Sequence, residues 1–352
     1  MLELIQKILA PFVFVYGFVT SIRNLFFDKG IFHQKKVDAK VISIGNLTVG
    51  GSGKTPLVIY VTNLLKEKFN VGVISRGYGR TTSGYLQVSS KDKILVDVQE
   101  SGDEMYLIAD ECKVTSAVSE KRVEGAKRLL TSEDLDVLVL DDAFQHRWIS
   151  RDLDILIFDQ RFLHKIGSQE QKLLPLGIMR ESFSSIKRAD IVIINSKFSD
   201  KLEIPEKLKK HFEGKKIFFA NYKNDGIYDL KTHKHYTLEE FKGQKSLVVC
   251  GIARPFSFLN ILEKSGINID NKMIFADHKD YNEKEIQQIR KKFYDTNSFD
   301  VLTTQKDAVK LTHFSKDMDD IDIFYLKIDL VIEKHEEFNQ LILNKLANKT
   351  NN

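Results

Sequence analysis

The chain is poor in the residues that staple, break or link a fold. Of its 352 residues only two are cysteine, Cys112 and Cys250. That excludes a disulfide framework and any Cys/His zinc spacing, and it points to a reducing, cytoplasmic compartment. Five prolines and the lack of any Ser/Gly-rich run exclude a long disordered linker. Neither sign of charge dominates, since the net charge is +4 with Lys and Asp/Glu interspersed. A nucleic-acid-binding protein concentrates its basic charge, so that class is set aside. No repeat of solenoid period occurs. Long uncharged runs are scarce, and the one of note is ILAPFVFVYGFVTSI at 8–22. Only Glu3 and Lys7 supply charge before it and no small-residue cleavage site follows, which excludes a secretory signal.

That run is followed by Arg23, Lys29, Lys35 and Lys36. As a helix it would be about 22 Å long, short of the roughly 30 Å hydrocarbon core. An apolar, aromatic segment with basic neighbours predicts a helix at 1–30 lying in a membrane interface. The competing reading is a helix buried against the body of the protein.

What is present centres on residues 41–56, VISIGNLTVGGSGKTP. Residues 41–44 read as a buried strand, and 57–65 have the apolar period of a helix. Strand, glycine-rich loop, Lys-Thr and helix make a P-loop. Gly50, Gly51 and Gly53 let backbone N–H groups curl around phosphate oxygens. Lys54 reaches the outer phosphates, the Thr55 hydroxyl suits Mg²⁺, and the helix N-terminus favours the anion. The strict pattern has a glycine where this chain has Thr48.

Further short strands end in polar loops, as strands of a parallel sheet do where ligands bind. VGVIS at 71–75 leads to RGYGR at 76–80, and residues 81–100 alternate like a small β excursion. Asp103 reads equally as a helix N-cap or as an active-site carboxylate. VLVLDD at 137–142 has the Walker B form, with Asp141 as metal partner and Asp142 doubling the charge. Gln145 and His146 follow on the same loop. Arg180 could clamp a phosphate. Asn195-Ser-Lys197 is like the guanine-reading Asn-Lys-x-Asp of GTPases but wrongly spaced, and is discounted. Residues 221–235 look like polar turns, and a second α/β unit follows from Ser246. His278 stands between Asp277 and Asp280 in a loop. At 42% apolar and 29% charged residues, the length fits about two domains. The expected division is 1–30, 31–215 and 216–352, with the linker within about 200–245.

These motifs, in this order, resemble those of the tetraacyldisaccharide 4'-kinase family: GNLTVGGSGKTP (45–56), SRGYGR (75–80), GDE (102–104), DDAFQHR (141–147), MRES (179–182), GIARPFSF (251–258), DHKDY (277–281) and TQKDAVK (304–310). The family P-loop also has Thr at 48. Gln305 stands where the family often has Glu, and Ser182 where Pro is common. The resemblance implies an α/β fold of P-loop NTPase type, doubly wound and mostly parallel, with a second smaller α/β domain and an N-terminal membrane-associated helix. It implies ATP-dependent phosphorylation of the 4'-hydroxyl of tetraacyldisaccharide 1-phosphate, a glycolipid, at the cytoplasmic face of the bacterial inner membrane, with peripheral or monotopic attachment. The nucleotide set is then Thr48, Val49, Gly50, Gly51, Ser52, Gly53, Lys54 and Thr55 with Gln145 and Arg180. Mg²⁺ would sit on Thr55 with Asp141 or Asp142. Asp103 would accept the hydroxyl proton, and His278 would orient or tune it. Two other classes compete: a regulatory or metallocentre-assembly P-loop NTPase without a lipid acceptor, and a soluble small-molecule kinase whose N-terminal helix is core.

Overall fold

A computed structural model describes residues 2–252, 255–277 and 279–347. Its strands are Lys40–Gly45 (β1), Val71–Ser75 (β2), Leu86–Ser90 (β3), Lys93–Ile94 (β4), Thr115–Val118 (β5), Val137–Asp141 (β6), Leu153–Asp159 (β7), Ile191–Asn195 (β8), Lys216–Asp229 (β9), His235–Tyr236 (β10), Lys245–Cys250 (β11), Asn268–Ile274 (β12), Asp300–Thr304 (β13) and Ile323–Ile332 (β14). They form one sheet in the order β12-β11-β13-β14-β9-β8-β7-β1-β6-β2-β5-β3-β4, with β10 on β9. Continuous apolar runs such as 137–140 and 191–194 are buried on both faces, as strands of a covered parallel sheet must be.

Two parallel arrays make up this sheet. The first runs from β9 to β5 and carries the antiparallel pair β3 and β4 at its edge. On one face, Ile42 and Ile44 pack against Leu57, Val61 and Leu65 of helix Lys54–Lys66 and Met105 and Ile108 of helix Asp103–Cys112. On the other, Leu138 and Leu140 meet Ala126 and Leu129 of helix Arg122–Ser132. Each such fully buried aliphatic side chain contributes roughly 1.5–3 kcal/mol. The second array, β12-β11-β13-β14, is covered by helix Glu283–Asp295 on one face and helix Pro255–Lys264 on the other. The fold is therefore the doubly wound, mostly parallel α/β type, with a second smaller unit.

The arrays join through β9 and β14, which run antiparallel from Phe324 opposite Asp229 to Ile332 opposite Ala220. β8 uses only the start of β9, from Lys216 to Ala220. β13 uses only the start of β14, from Ile323 to Leu326. Each array therefore ends partway along the ribbon, and their carboxyl ends face each other across its middle.

Several expectations change here. Residues 221–229, read as polar turns, are the outer part of β9. The exposed polar residues Asn221, Lys223 and Asp225 alternate with half-covered Tyr222 and Asn224, which is strand period on a ribbon with a wet face. The expected division at 215/216 falls where β9 begins. Helix His335–Ala347 packs Phe338, Ile342 and Leu346 into the core of the first array, against the P-loop helix. The N-terminal helix spans Leu2–Asp28, with Pro11 inside it and not ending it. It is longer than the uncharged run suggested, about 40 Å. Its part Leu9–Asp28 has mean hydropathy 1.4 and is long and apolar enough to cross a membrane. Phe12, Phe14, Val15, Phe18 and Val19 are exposed along one side. The other side is seated on the body: Tyr16 donates to the Arg180 carbonyl at 3.0 Å, Asn24 to Glu181 at 3.1 Å, and Arg147 pairs with Asp28 at 2.8 Å.

Asp300, at the start of β13, is buried, and desolvation pushes its carboxyl up to about 6, with Asp322 adding to the rise. A carboxyl whose folded value is raised loses stability as pH climbs from the unfolded value through the folded one. Asp300→Asn should therefore stabilise the protein at pH 7.5, by at most about 3 kcal/mol, and the gain should vanish below pH 4. Thermal melts at the two pH values check this, and an equal gain at both would refute the assignment.

Candidate active site

Ligands of open α/β sheets bind outside the carboxyl ends of the strands. With two arrays facing each other, the loops of both converge on one space. It is a cavity of about 1160 Å³, walled by the P-loop, Asp141, Asp142 and Arg180 on one side and by Ile252, Phe258 and 304–306 on the other. The middle of the ribbon, from Leu326 to Val331, lines it as well.

The P-loop follows β1 and takes its shape from a few contacts. Gly50 and Gly53 have φ of 97° and 102°, in the left-handed region where a side chain is strained. A Cβ on Gly53 would also lie 2.4 Å from Asn195 Nδ2 and 2.6 Å from the Tyr222 hydroxyl. Asn46 donates to Ser52 Oγ at 2.7 Å and closes the turn. The loop carrying Arg180 zips onto its outer side, with Val49 N on the Ile178 carbonyl at 2.8 Å and Arg180 N on the Leu47 carbonyl at 2.7 Å. Helix Lys54–Lys66 then starts with its unsatisfied amides facing the cavity.

The two strand-end aspartates differ. Asp141 is fully buried and accepts from Ser75 Oγ at 2.9 Å through Oδ2, while Oδ1 has no hydrogen-bond partner. Burial raises its pKa, helped by the negative charges of Glu104 and Asp142, with Lys54 opposing. Asp142, at φ 47°, turns the other way. It receives both guanidinium nitrogens of Arg180, at 2.7 and 2.9 Å, and sits 3.7 Å from Lys54 Nζ. Burial pushes its carboxyl up, but Lys54 and Arg180 outweigh it and hold the group at about 2. Arg180 also bonds the Asn46 carbonyl at 3.1 Å. One arginine thus braces the P-loop root and Asp142 together.

The cavity brings together Thr48, Val49, Gly50, Gly51, Ser52, Gly53, Lys54, Thr55, Asp141, Asp142 and Arg180. Gln145 is placed elsewhere. Its amide donates to the Asn46 carbonyl at 2.9 Å, so it supports the P-loop from behind and does not line the cavity. Asp103 is the first residue of its helix, with Gly102 as the cap, and it lines a smaller adjoining cavity of about 50 Å³ with Tyr78, Asp280 and Lys310. Its neighbour Glu104 lines the large one. His278 lies outside the described residues. The discounted Asn195-Ser-Lys197 does have a place: Asn195 Nδ2 donates to the Ser52 carbonyl at 3.3 Å, and Lys197 Nζ to the Gly51 carbonyl at 2.7 Å and to Asp159 at 2.9 Å. The likeness to the GTPase motif was the signal; spacing hid it. Glu104 and Lys306, which lie in the GDE and TQKDAVK motifs but were given no role there, also line the cavity.

Amides that cradle phosphate, and acids that share the same chamber, make this a P-loop enzyme of nucleotide-dependent phosphoryl chemistry. A family model described as Tetraacyldisaccharide-1-P 4'-kinase matches residues 5–347. The Tetraacyldisaccharide 4'-kinase of Flavobacterium psychrophilum is 33% identical over 100% of both chains. That of Aquifex aeolicus is 32% identical over 96% of this chain and 98% of its own. The crystal structure of LpxK from Aquifex aeolicus in complex with ATP superposes with a TM-score of 0.81 at 31% identity, covering 97% of this chain and 99% of that one. The chain belongs to the tetraacyldisaccharide 4'-kinase family.

A lysine at 180 cannot make the bidentate bond to Asp142 while reaching Asn46. Arg180→Lys should weaken nucleotide binding about tenfold without lowering the melting temperature appreciably. Titration with a fluorescent ATP analogue measures it, and unchanged affinity would remove Arg180 from the binding apparatus.

Proposed function

We propose that this protein transfers the γ-phosphate of ATP to the 4'-hydroxyl of tetraacyldisaccharide 1-phosphate, a step of lipid A biosynthesis. The observation that carries the reading is the single chamber on which the family motifs of both arrays converge. The P-loop amides and Lys54 hold the β- and γ-phosphates. Catalysis is positioning plus charge stabilisation, as phosphoryl transfer requires. The acceptor oxygen bonds the γ-phosphorus, the bond to the bridging oxygen of ADP breaks, and the hydroxyl proton passes to Asp103. His278 orients or tunes that carboxylate. The two arrays act as lobes, and the ATP and lipid meet in the cleft between them.

Mg²⁺ fits the donors present. Asp141 Oδ1 is buried without a partner, and Thr55 lines the same cavity. Few protein oxygens plus phosphates are what this hard cation takes. Bound there, it would neutralise charge on the phosphate oxygens. Asp142, already held by Arg180 and Lys54, is less available than Asp141.

The N-terminal helix attaches the protein to the cytoplasmic face of the inner membrane. Its exposed apolar side supports this, and so does the seating of its other side on the body, which favours a helix in one leaflet over a lone span.

Two measurements test these readings. Labelled ATP should phosphorylate purified tetraacyldisaccharide 1-phosphate in detergent micelles with wild type and not with Lys54→Ala; ATP hydrolysis with the lipid left unmodified would sink the acceptor assignment. Deleting residues 1–30 should release the protein from vesicles in a flotation assay. A truncated form that still floats would place the anchor elsewhere.

A further inference from the structure

Helix Asp103–Cys112 meets the second array through its acids. Glu111 accepts from Gln305 at 2.6 Å and from Lys327 at 2.7 Å. Lys306 lies 3.2 Å from Glu104 and 3.7 Å from Asp103. Lys310, on helix Gln305–Leu311, lies 3.0 Å from Asp103 Oδ2. Lys310 differs from the other cations in being buried, at 6% exposure, and Asp103 is equally so. A buried lysine requires a countercharge, and a buried carboxylate likewise. The ammonium is fixed at its other side by the Lys279 carbonyl at 3.1 Å. The carboxylate is fixed by the Glu104 amide, which donates to Oδ1 at 2.9 Å. Held at both oxygens, the carboxylate plane has one orientation.

We propose that Lys310 is a positioning residue for the transfer reaction, acting through Asp103. It reaches across from the second array, fixes the carboxylate's orientation and keeps it ionised to receive the hydroxyl proton. This rests on the reading of Asp103 as proton acceptor. Among the described residues, the charged and titratable groups near Asp103 and Lys310 include Lys306, Glu104, Asp277 beside Lys306 and Asp307 beside Lys310, with Tyr78, Asp280, Tyr281 and His313 around the small cavity. Removing one ammonium from this set disfavours the ionised carboxylate, so the acid limb of the rate profile moves to higher pH.

The experiment compares full-length wild type, Lys310→Met, Lys310→Gln, Lys310→Arg, Asp103→Asn and the Asp103→Asn/Lys310→Met double variant in lipid phosphorylation across pH. Loss of Lys310 should lower kcat about 100-fold, leave the KM for ATP within about twofold, and raise the acid limb by about one pH unit. Lys310→Arg should restore most of the rate. The double variant should be no slower than Asp103→Asn alone. Lys310→Gln keeps a donor for the Lys279 carbonyl and carries the test should the methionine variant not fold. Normal turnover with an unshifted limb in the glutamine variant, or losses that multiply in the double variant, overturn the proposal. If Asp103→Asn itself keeps near-normal turnover, the Asp103 reading fails first. If Asp103→Asn is inactive and the Lys310 variants are normal, only Lys310's role is lost.

Discussion

The antiparallel pairing of β9 with β14 is the constraint on which the rest depends. Strands within either array are parallel, so each array collects its polar loops at one edge. Had the arrays been joined by another parallel pair, all those loops would lie along one rim. The reversal at β9/β14, together with the length of both strands, turns the two rims toward each other and leaves room between them. The chamber is a product of strand direction and register before any side chain is considered.

In that chamber and the small cavity beside it, charge is arranged in compensated sets. Asp142 is tied to Arg180 and Lys54, and Asp103 to Lys310. Asp141 stands apart, buried with one oxygen unpartnered and its charge disfavoured. Burial makes an uncompensated carboxylate costly, and such a group has strong reason to accept a cation. The one aspartate is held by two cations and the other is left with an open oxygen, although they are neighbours in the chain.

The sequence made some of this legible. The strand, loop and helix around the P-loop declare themselves because apolar period, glycines and Lys-Thr all agree on one geometry. Asp141 and Asp142 were recognisable because an apolar run ends on them. Their different pairing was not, since it depends on a backbone turn at Asp142 and on Arg180, which comes from a distant loop. Gln145 was expected at the nucleotide from the family resemblance, yet its amide donates to the Asn46 carbonyl. β9 was hidden because its outer half alternates polar residues on a wet face, and period-2 alternation of polar residues looks like a turn when no apolar partner marks it. Lys310 lies in a motif whose lysines look alike until the fold buries one of them.

The C-terminal helix carries a consequence for how the molecule is made. Phe338, Ile342 and Leu346 complete the core beneath the P-loop helix, whose own residues were synthesised near the beginning of the chain. On the ribosome, the first array must wait with an uncovered apolar face while nearly the whole second array is translated. Domain-by-domain folding, the usual route for chains of this size, would leave the half that bears the P-loop without part of its core. Its core is covered by helix His335–Ala347, which is made after the second array, and a product interrupted before that helix would expose the face to aggregation or proteolysis.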